Sequence, residues 1–429
     1  MKDTQIIKEG LKNGSYKQQL SMLYVCPEEQ TKSYADRYLD VLNSYEEVFG
    51  TVEKAALFSA PGRTEIGGNH TDHQHGCVLA GSVNLDVIAA ACPNGTDQIR
   101  IQSRNYPMDE ISLNDLEVNE AQFDKAISLI RGVVKKFVDL GYPVKGFNAY
   151  TISNVLKGSG MSSSAAFEVL VGTIINGLFC NNEVSPVEIA KFSQYAENVY
   201  FGKPSGLMDQ MASSVGSAVA IDFHDTNEPV IEKVAFDFAK SGHALCIVDS
   251  GADHADLTHE YASIPADMKQ VAAFFGKEVL RDVDEKEFME NIPQLRKKIN
   301  NDRAVLRAFH FFHDNRYAQE EVAALKANDF KQFCALVRKS GASSFMYLQN
   351  VFASSMPEEQ SVSLALALCD EILGERGAYR VHGGGFAGTV QAFVPNDMLE
   401  EFRSRIEAVL GVGRCHILSI RPVGGYQLV

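Results

Sequence analysis

A glycine- and serine-rich stretch, KGSGMSSSAAFEVL over residues 157–170, has the composition that most directly suggests chemistry. A strand-like segment at 147–155 precedes it, and an apolar helical run continues to residue 178. Glycines let the backbone approach a ligand closely, and the first N–H groups of a helix lack intrahelical partners at its positive end. The pattern therefore favours phosphate binding. It is not the GxxxxGK[ST] Walker A motif, and a serine-rich cap on a buried helix is the simpler alternative.

A second polar stretch, APGRTEIGGNHTDHQHG over residues 60–76, combines charged, amide and imidazole side chains with several glycines. Asn69, His70 and Asp72 offer donors and acceptors that suit sugar hydroxyls. Arg63 is a fixed positive charge that suits phosphate. A metal site is the alternative for the histidines, but their spacing is not that of a zinc motif. The stretch indicates a polar ligand rich in hydroxyl groups.

Three other segments each contain a candidate group. Asp209 follows a Pro-Ser-Gly turn in PSGLMDQ, and it could accept or orient a hydroxyl proton or simply cap a turn. Glu197 is either a solvated helical side chain or an oxygen ligand for Mg²⁺ beside a serine. The glycines of GGGFAG, residues 383–388, allow close approach of the backbone to a phosphate or to another loop.

Composition excludes several classes of function. The net charge of −15 argues against a nucleic-acid or anionic-membrane surface. The eight cysteines form no CxxC pair, which indicates reduced thiols in a cytoplasmic protein. The first residues contain no apolar secretory region, and no run reaches the length of a membrane span. We expect small-molecule partners, and a monomer is compatible with the sequence, which does not decide the oligomeric state.

The order of elements predicts an α+β protein with two domains, because strands and then helices occur in two successive blocks. We place the domains at 1–230 and 231–429, where the composition changes. Residues 1–32 are polar and weakly patterned. The predicted helices are 33–50, 122–141, 185–200 and 396–410, with mostly helical chain from 258 to 375. The predicted strands are 55–59, 78–92, 99–103, 147–155, 218–223, 230–238, 243–248 and 415–421, and a strand and turn are predicted at 379–395.

These four stretches occur in the same order in the GHMP family of small-molecule kinases. The stretch at 60–76 resembles the galactokinase branch of that family. The family reads GRxNxIGEHTDY, GxGLSSSAA, PxGxMDQ and GGGFGG where this chain reads GRTEIGGNHTDH, GSGMSSSAA, PSGLMDQ and GGGFAG. The resemblance spans roughly residues 50–429. It implies a two-domain GHMP kinase fold with the active site in the cleft between the domains, and ATP- and Mg²⁺-dependent phosphorylation of galactose at the C1 hydroxyl.

The resemblance also implies roles for individual residues. Asp209 and Arg63 would be catalytic, and Ser164 and Glu197 would hold Mg²⁺. The ATP phosphates would lie against the loop residues Gly158, Ser159, Gly160, Met161, Ser162, Ser163 and Ser164. The sugar would be bound by Asn69, His70, Thr71, Asp72, Gly206 and Tyr261.

Three departures from the family pattern bear on the substrate. Asn69 stands where the family has glutamate, Glu65 where it has asparagine, and His73 where it has tyrosine. Loss of the carboxylate at position 69 would remove a repulsion against a sugar with its own carboxylate at C6. A galacturonate kinase is therefore one alternative, and a non-catalytic sugar sensor is a less favoured one. The sequence leaves open whether Glu65 compensates for position 69.

Overall fold

Two β-sheets form the centre of the molecule within the residues that the computed structural model describes, which are 1–156, 160–203, 205–251 and 257–429. One sheet has nine strands and the other has four among these residues. The strands are β1 Lys2–Asp3, β2 Lys54–Gly67, β3 Cys77–Pro93, β4 Gln98–Ser103, β5 Met108–Ser112, β6 Phe147–Ser153, β7 Ala218–Asp222, β8 Val230–Val234, β9 His243–Asp249, β10 Ala378–His382, β11 Thr389–Pro395, β12 Cys415–Leu418 and β13 Tyr426–Gln427.

Helices cover both sheets. They are α1 Thr4–Asn13, α2 Lys17–Tyr24, α3 Lys32–Phe49, α4 Ala126–Asp139, α5 Ser163–Phe179, α6 Pro186–Tyr195, α7 Met208–Val215, α8 Thr258–Phe274, α9 Glu285–Ile299, α10 Asp302–Lys326, α11 Phe330–Ser343, α12 Ser361–Leu373 and α13 Leu399–Leu410. Two π-helical segments, Ala196–Phe201 and Ser344–Leu348, extend α6 and α11.

The long hairpin of β2 and β3 organises the nine-stranded sheet. The strand order is β1-β2-β3-β6-β4-β5, with β13 also pairing with β2 and β7 linking β3 to β8. Each of these pairs is antiparallel except β4 with β6. The end of β2 meets the second half of the chain, because Arg380 donates to the carbonyl of Ile66 and Gln391 donates to that of Glu65.

Side-chain alternation along β2 explains why this sheet is covered on both faces. Ala56, Phe58 and Ala60 face the main core, to which α4, α5 and α6 contribute. Ala55 and Leu57 face the opposite way, against α1, α2 and α3. This period of two is what an extended strand imposes, and it places the N-terminal helices on the sheet face away from α5.

The second half of the chain is built on the four-stranded sheet, in the order β10-β11-β9-β12. One face of this sheet packs against α12 and α13, while α8, α9 and α10 form a separate helical core. The predicted α+β class is confirmed. The division at residue 230 remains a prediction, and two strands cross it, because β8 pairs with β7 and β13 returns to β2.

Residues 1–32 form two helices that the sequence did not reveal. Apolar residues recur at Ile7, Leu11, Leu20 and Leu23, and all four are buried. The pattern is weak in sequence because each helix is only eight to ten residues long. None of the described helices is long and apolar enough to cross a membrane.

Candidate active site

A cavity of about 320 Å³ lies between the two halves of the chain. Its walls come from the end of β2, the turn after it, the start of α7 and the glycine turn between β10 and β11. The lining residues are Arg63, Glu65, His70, Asp72, His73, Ser205, Gly206, Met208, Asp209, Gly383 and Gly384. The polar side chains from both halves of the chain meet in this cavity, which is where the resemblance placed the active site.

The end of β2 presents two charged side chains to this cavity. Arg63 and Glu65 are two residues apart, so a strand places them on the same face. Their pairing with β3 is interrupted between Pro61 and Arg63 and again between Glu65 and Gly67. Such bulges re-aim side chains and are common beside active sites. Both residues are buried.

Arg63 and Asp209 form the central ion pair of the site. The Nε of Arg63 lies 2.6 Å from Oδ1 of Asp209, and its Nη1 donates to the carbonyl of Gly160. The hydroxyl of Ser162 donates to Oδ2 of Asp209. Segments separated by 97 and by 146 positions in sequence are thus tied together, with the Asp209 side chain still 28% exposed to the cavity.

This arrangement keeps Asp209 ionised. Burial by itself raises the pKa of the carboxyl group, but the charge of Arg63 and the hydrogen bonds from Arg63 and Ser162 lower the pKa below its ordinary value of 3.8. An ionised carboxylate beside a guanidinium can orient a hydroxyl group and accept a hydrogen bond from it.

The described part of the glycine loop lies directly against Arg63. Met161 is buried, and its carbonyl accepts the backbone N–H of Arg63 at 3.2 Å. Gly160 has φ +71°, a conformation that glycine adopts readily. Gly158 and Ser159 lie outside the described residues.

Helix α5 begins directly after this loop, and its N-cap side chain leaves the first N–H groups without a capping hydrogen bond among the described residues. Ser162 occupies the N-cap position with φ 48°, but its side chain makes no capping hydrogen bond because its hydroxyl is directed to Asp209. Ser163 and Ser164 form the first turn. The N-terminus of this 17-residue helix can therefore receive an anion, as the sequence predicted.

Three of the predicted sugar-binding residues line the cavity: His70, Asp72 and Gly206. The Nε2 of His70 donates to the carbonyl of Gly384 at 3.0 Å, which leaves Nδ1 as an acceptor. Burial lowers the pKa of His70 to about 4, so its imidazole is neutral. Burial also raises the pKa of Asp72, although the backbone N–H of His73 partly opposes that effect.

The other three predicted sugar-binding residues do not line the cavity. Asn69 is fully buried behind it. The hydroxyl of Thr71, also fully buried, lies 2.9 Å from the carbonyl of Gly68 and 2.7 Å from that of Cys77, so it fixes the turn. Tyr261 packs edge-on against Phe386, and its hydroxyl donates to the carbonyl of Gly385 at 3.0 Å.

Of the two predicted metal ligands, Glu197 belongs to a neighbouring carboxylate cluster, and Ser164 lies in the first turn of α5. Glu197 is buried and accepts hydrogen bonds from Lys203 at 3.0 Å, Ser205 at 2.7 Å and Gln210 at 2.7 Å. Gln210 also donates to Glu168 at 3.1 Å, and Oε1 of Glu168 is buried without a hydrogen-bond partner among the described residues.

Glu168 lies four residues after Ser164 on α5, on the same side of the helix. Burial and the charge of Glu197 raise the pKa of Glu168 well above its ordinary value. The described residues contain no cluster of three or more histidine, cysteine or acidic side chains that could hold a metal alone. The donor set is nevertheless one of hard oxygens, which fits Mg²⁺ when phosphate oxygens and water supply the other ligands.

Sequence reasoning missed several contributors to the site. The sequence indicates Glu65 only as a possible compensation for Asn69, because the polar stretch 60–76 does not reveal that β2 continues through Arg63 and Glu65. Glu168 could have been found from its spacing of four residues from Ser164 on a helix. The hydrogen bond from Ser162 to Asp209 and the bridge through Gln210 join residues distant in sequence, and no local pattern signals them.

Comparison with known proteins gives consistent family matches. Residues 128–217 match the model of the GHMP kinases N terminal domain, and residues 43–93 match the galactokinase galactose-binding signature. The chain is 31% identical to a galactokinase of Glaesserella parasuis serovar 5 over 366 residues, covering 84% of this chain and 91% of that protein. It is 31% identical to a galactokinase of Actinobacillus pleuropneumoniae, covering 80% of this chain and 86% of that one.

Solved structures share the fold. The Lactococcus lactis galactokinase complexed with galactose matches with a TM-score of 0.75 at 24% identity, covering 90% of this chain and 99% of that one. The Methanococcus jannaschii mevalonate kinase matches with a TM-score of 0.60 at 15% identity, covering 86% and 99%.

Proposed function

Because the chain belongs to the galactokinase family of the GHMP kinases, we propose that it transfers the γ-phosphoryl group of ATP to the C1 hydroxyl of galactose. The observation that carries this proposal is the Arg63–Asp209 pair, with its 2.6 Å contact, beside the uncapped start of α5. A phosphate site and a carboxylate that can orient a hydroxyl thus adjoin one cavity.

Phosphoryl transfer depends mainly on positioning and on neutralising charge. The N–H groups at the start of α5 would bind the phosphates of ATP. Arg63 would stabilise negative charge on the transferring phosphoryl group, and Asp209 would orient the C1 hydroxyl and accept its proton. Its lowered pKa makes Asp209 a weak base, so we assign it chiefly the orienting role.

Ser164 and Glu197 would hold Mg²⁺, with Glu168 close behind them. The ion would neutralise charge on the β- and γ-phosphates. Lys203, whose side chain is 58% exposed, pairs with Glu197 at 3.0 Å and adds positive charge beside this cluster. The comparisons do not favour the galacturonate kinase or the non-catalytic sensor.

The test is product formation by wild type and by Asp209→Asn, followed by ³¹P and ¹³C NMR with galactose labelled at C1. Wild type should give a phosphorus–carbon coupling at C1. Asp209→Asn keeps the shape and loses the charge, so kcat should fall by at least about 100-fold while galactose still binds. Normal turnover in the variant would remove Asp209 from the chemistry, and phosphate on another carbon would refute the proposed reaction.

A further inference from the structure

The amide of Asn69 is fully used inside the protein. Its Oδ1 accepts from Asn350 at 2.9 Å and from Ser344 at 3.2 Å. Its Nδ2 donates to Oε1 of Glu65 at 2.9 Å and to the carbonyl of Gly383 at 2.7 Å. With no exposed surface and no remaining donor, Asn69 has no capacity to bind a ligand.

Glu65 has the capacity that Asn69 lacks. Its Oε1 accepts from Asn69 and from Arg380, whose Nη2 lies 2.7 Å away. Its Oε2 accepts no hydrogen bond from any residue in the described ranges, and Glu65 lines the cavity beside Arg63 and Asp72. One carboxylate oxygen is therefore held by the protein, and the other is available to the cavity.

The carboxylate is held rigidly. Arg380 is fully buried, and it also donates to the carbonyl of Ile66 at 2.7 Å and to that of Val381 at 3.0 Å. Gln391 donates to the backbone carbonyl of Glu65 at 2.9 Å. Both the backbone and one oxygen of Glu65 are fixed from the second half of the chain, which is the arrangement expected of a binding group that is organised before its ligand arrives.

We propose that Glu65 is the specificity-determining acceptor of this site, binding a hydroxyl group of the sugar through Oε2. A neutral sugar can donate a hydrogen bond to this oxygen, whereas a sugar with a carboxylate in the same place would meet like charge in a buried pocket. The inference rests on the proposed function. In this chain Glu65 would supply the carboxylate that the family has at the position of Asn69.

The experiment compares wild type with Glu65→Gln on galactose, on its four monodeoxy analogues at C2, C3, C4 and C6, and on galacturonate. The amide introduced by that substitution would present its carbonyl to Asn69 and Arg380 and an N–H group where Oε2 stood. KM for galactose should rise by about 10- to 100-fold, because a hydrogen bond to a charged group is lost. Wild type should reject one deoxy analogue strongly, and the variant should lose most of that rejection.

Galacturonate, assayed above pH 7 where Glu65 is ionised, gives the opposite readout, since removing the charge of Glu65 should raise the turnover or binding of galacturonate relative to galactose. Glu110→Gln, at an exposed position of strand β5, is the matched control and should behave as wild type. A folded Glu65→Gln protein with an unchanged galactose KM and unchanged rejection of every analogue would overturn the inference.

Sugar binding is measured in parallel by the rise in melting temperature, so the inference is tested independently of turnover. A wild type that binds galactose but releases no ADP would refute the proposed function. The melting-temperature shifts with each sugar would still test the role of Glu65 in that case. If Glu65→Gln does not fold, Glu65→Asp keeps the charge and shortens the side chain. It should bind galactose more weakly while still rejecting galacturonate, and binding equal to wild type would overturn the inference.

Discussion

Two of the three carboxylates that line the cavity, Asp209 and Glu65, differ in their protonation. Arg63 and Ser162 hold the pKa of Asp209 below its ordinary value, whereas burial raises the pKa of Glu65 to about 7 despite Arg380. Carboxyl groups whose environments differ in this way can take different roles in one active site. Asp209 is suited to orient a hydroxyl as a permanent anion, while Glu65 titrates near neutral pH.

The raised pKa of Glu65 predicts a pH dependence of stability. The folded protein holds this proton more tightly than the unfolded chain, so the free energy of unfolding that Glu65 contributes decreases as pH rises from about 4.5 to about 7. The charged groups that act on Glu65 are Arg380, Arg63, Asp72 and Glu321.

Urea unfolding of wild type and Glu65→Gln at several pH values isolates this contribution. The stability of wild type relative to the variant should decline across that interval and level off above it. A difference that stays constant with pH, or that grows in favour of wild type, would show that Glu65 is ionised throughout.

At the scale of elements, the site depends on where strands and helices end. Within the described residues, the sequence predicted the strand that begins at Phe147 and the helix that follows Gly160, because serine and apolar spacing are local signals. It did not predict the bulges in β2 that turn Arg63 and Glu65 toward the cavity, since these depend on pairing with β3. The sequence also placed Asn69 at the sugar site. In the structure Asn69 is buried behind the cavity, and Glu65 lines it.

The turn that precedes α7 gives a prediction at this scale. A Cβ atom added at Gly206 would lie 2.8 Å from Oδ2 of Asp72, closer than side chains tolerate. Gly206→Ala should therefore displace Asp72 and raise KM for galactose by about 10-fold, by analogy with the loss of one hydrogen bond. The melting temperature without sugar should change little. Steady-state kinetics test this, and an unchanged KM would mean that Asp72 does not contact the sugar.

At the scale of the whole molecule, a buried ion cluster joins the N-terminal helices, the nine-stranded sheet and the C-terminal segment. Asp86 is fully buried and accepts hydrogen bonds from Tyr24 at 2.8 Å, from Arg37 and from Ser59. Arg421, also fully buried, lies 3.4 Å away. The weak pattern of residues 1–32 could not predict this, because the contacts join distant parts of the chain.

Removing the charge of Asp86 should destabilise the entire fold. Asp86→Asn leaves two arginines without their anion, which costs about 3 kcal/mol of unfolding free energy in buried clusters. The matched control is Asp40→Asn, which breaks an exposed pair with Arg104 and should cost less than about 1 kcal/mol. Urea unfolding measures both, and equal losses would show that the buried cluster does not join the parts of the fold.

The most direct test of the whole account is ADP release by wild type with MgATP and, separately, galactose, galacturonate, glucose and N-acetylgalactosamine. The proposed function predicts turnover on galactose, and the position of Glu65 predicts little turnover on galacturonate. Preference for galacturonate would contradict the role given to Glu65. No ADP release with any of the sugars would contradict the proposed kinase activity.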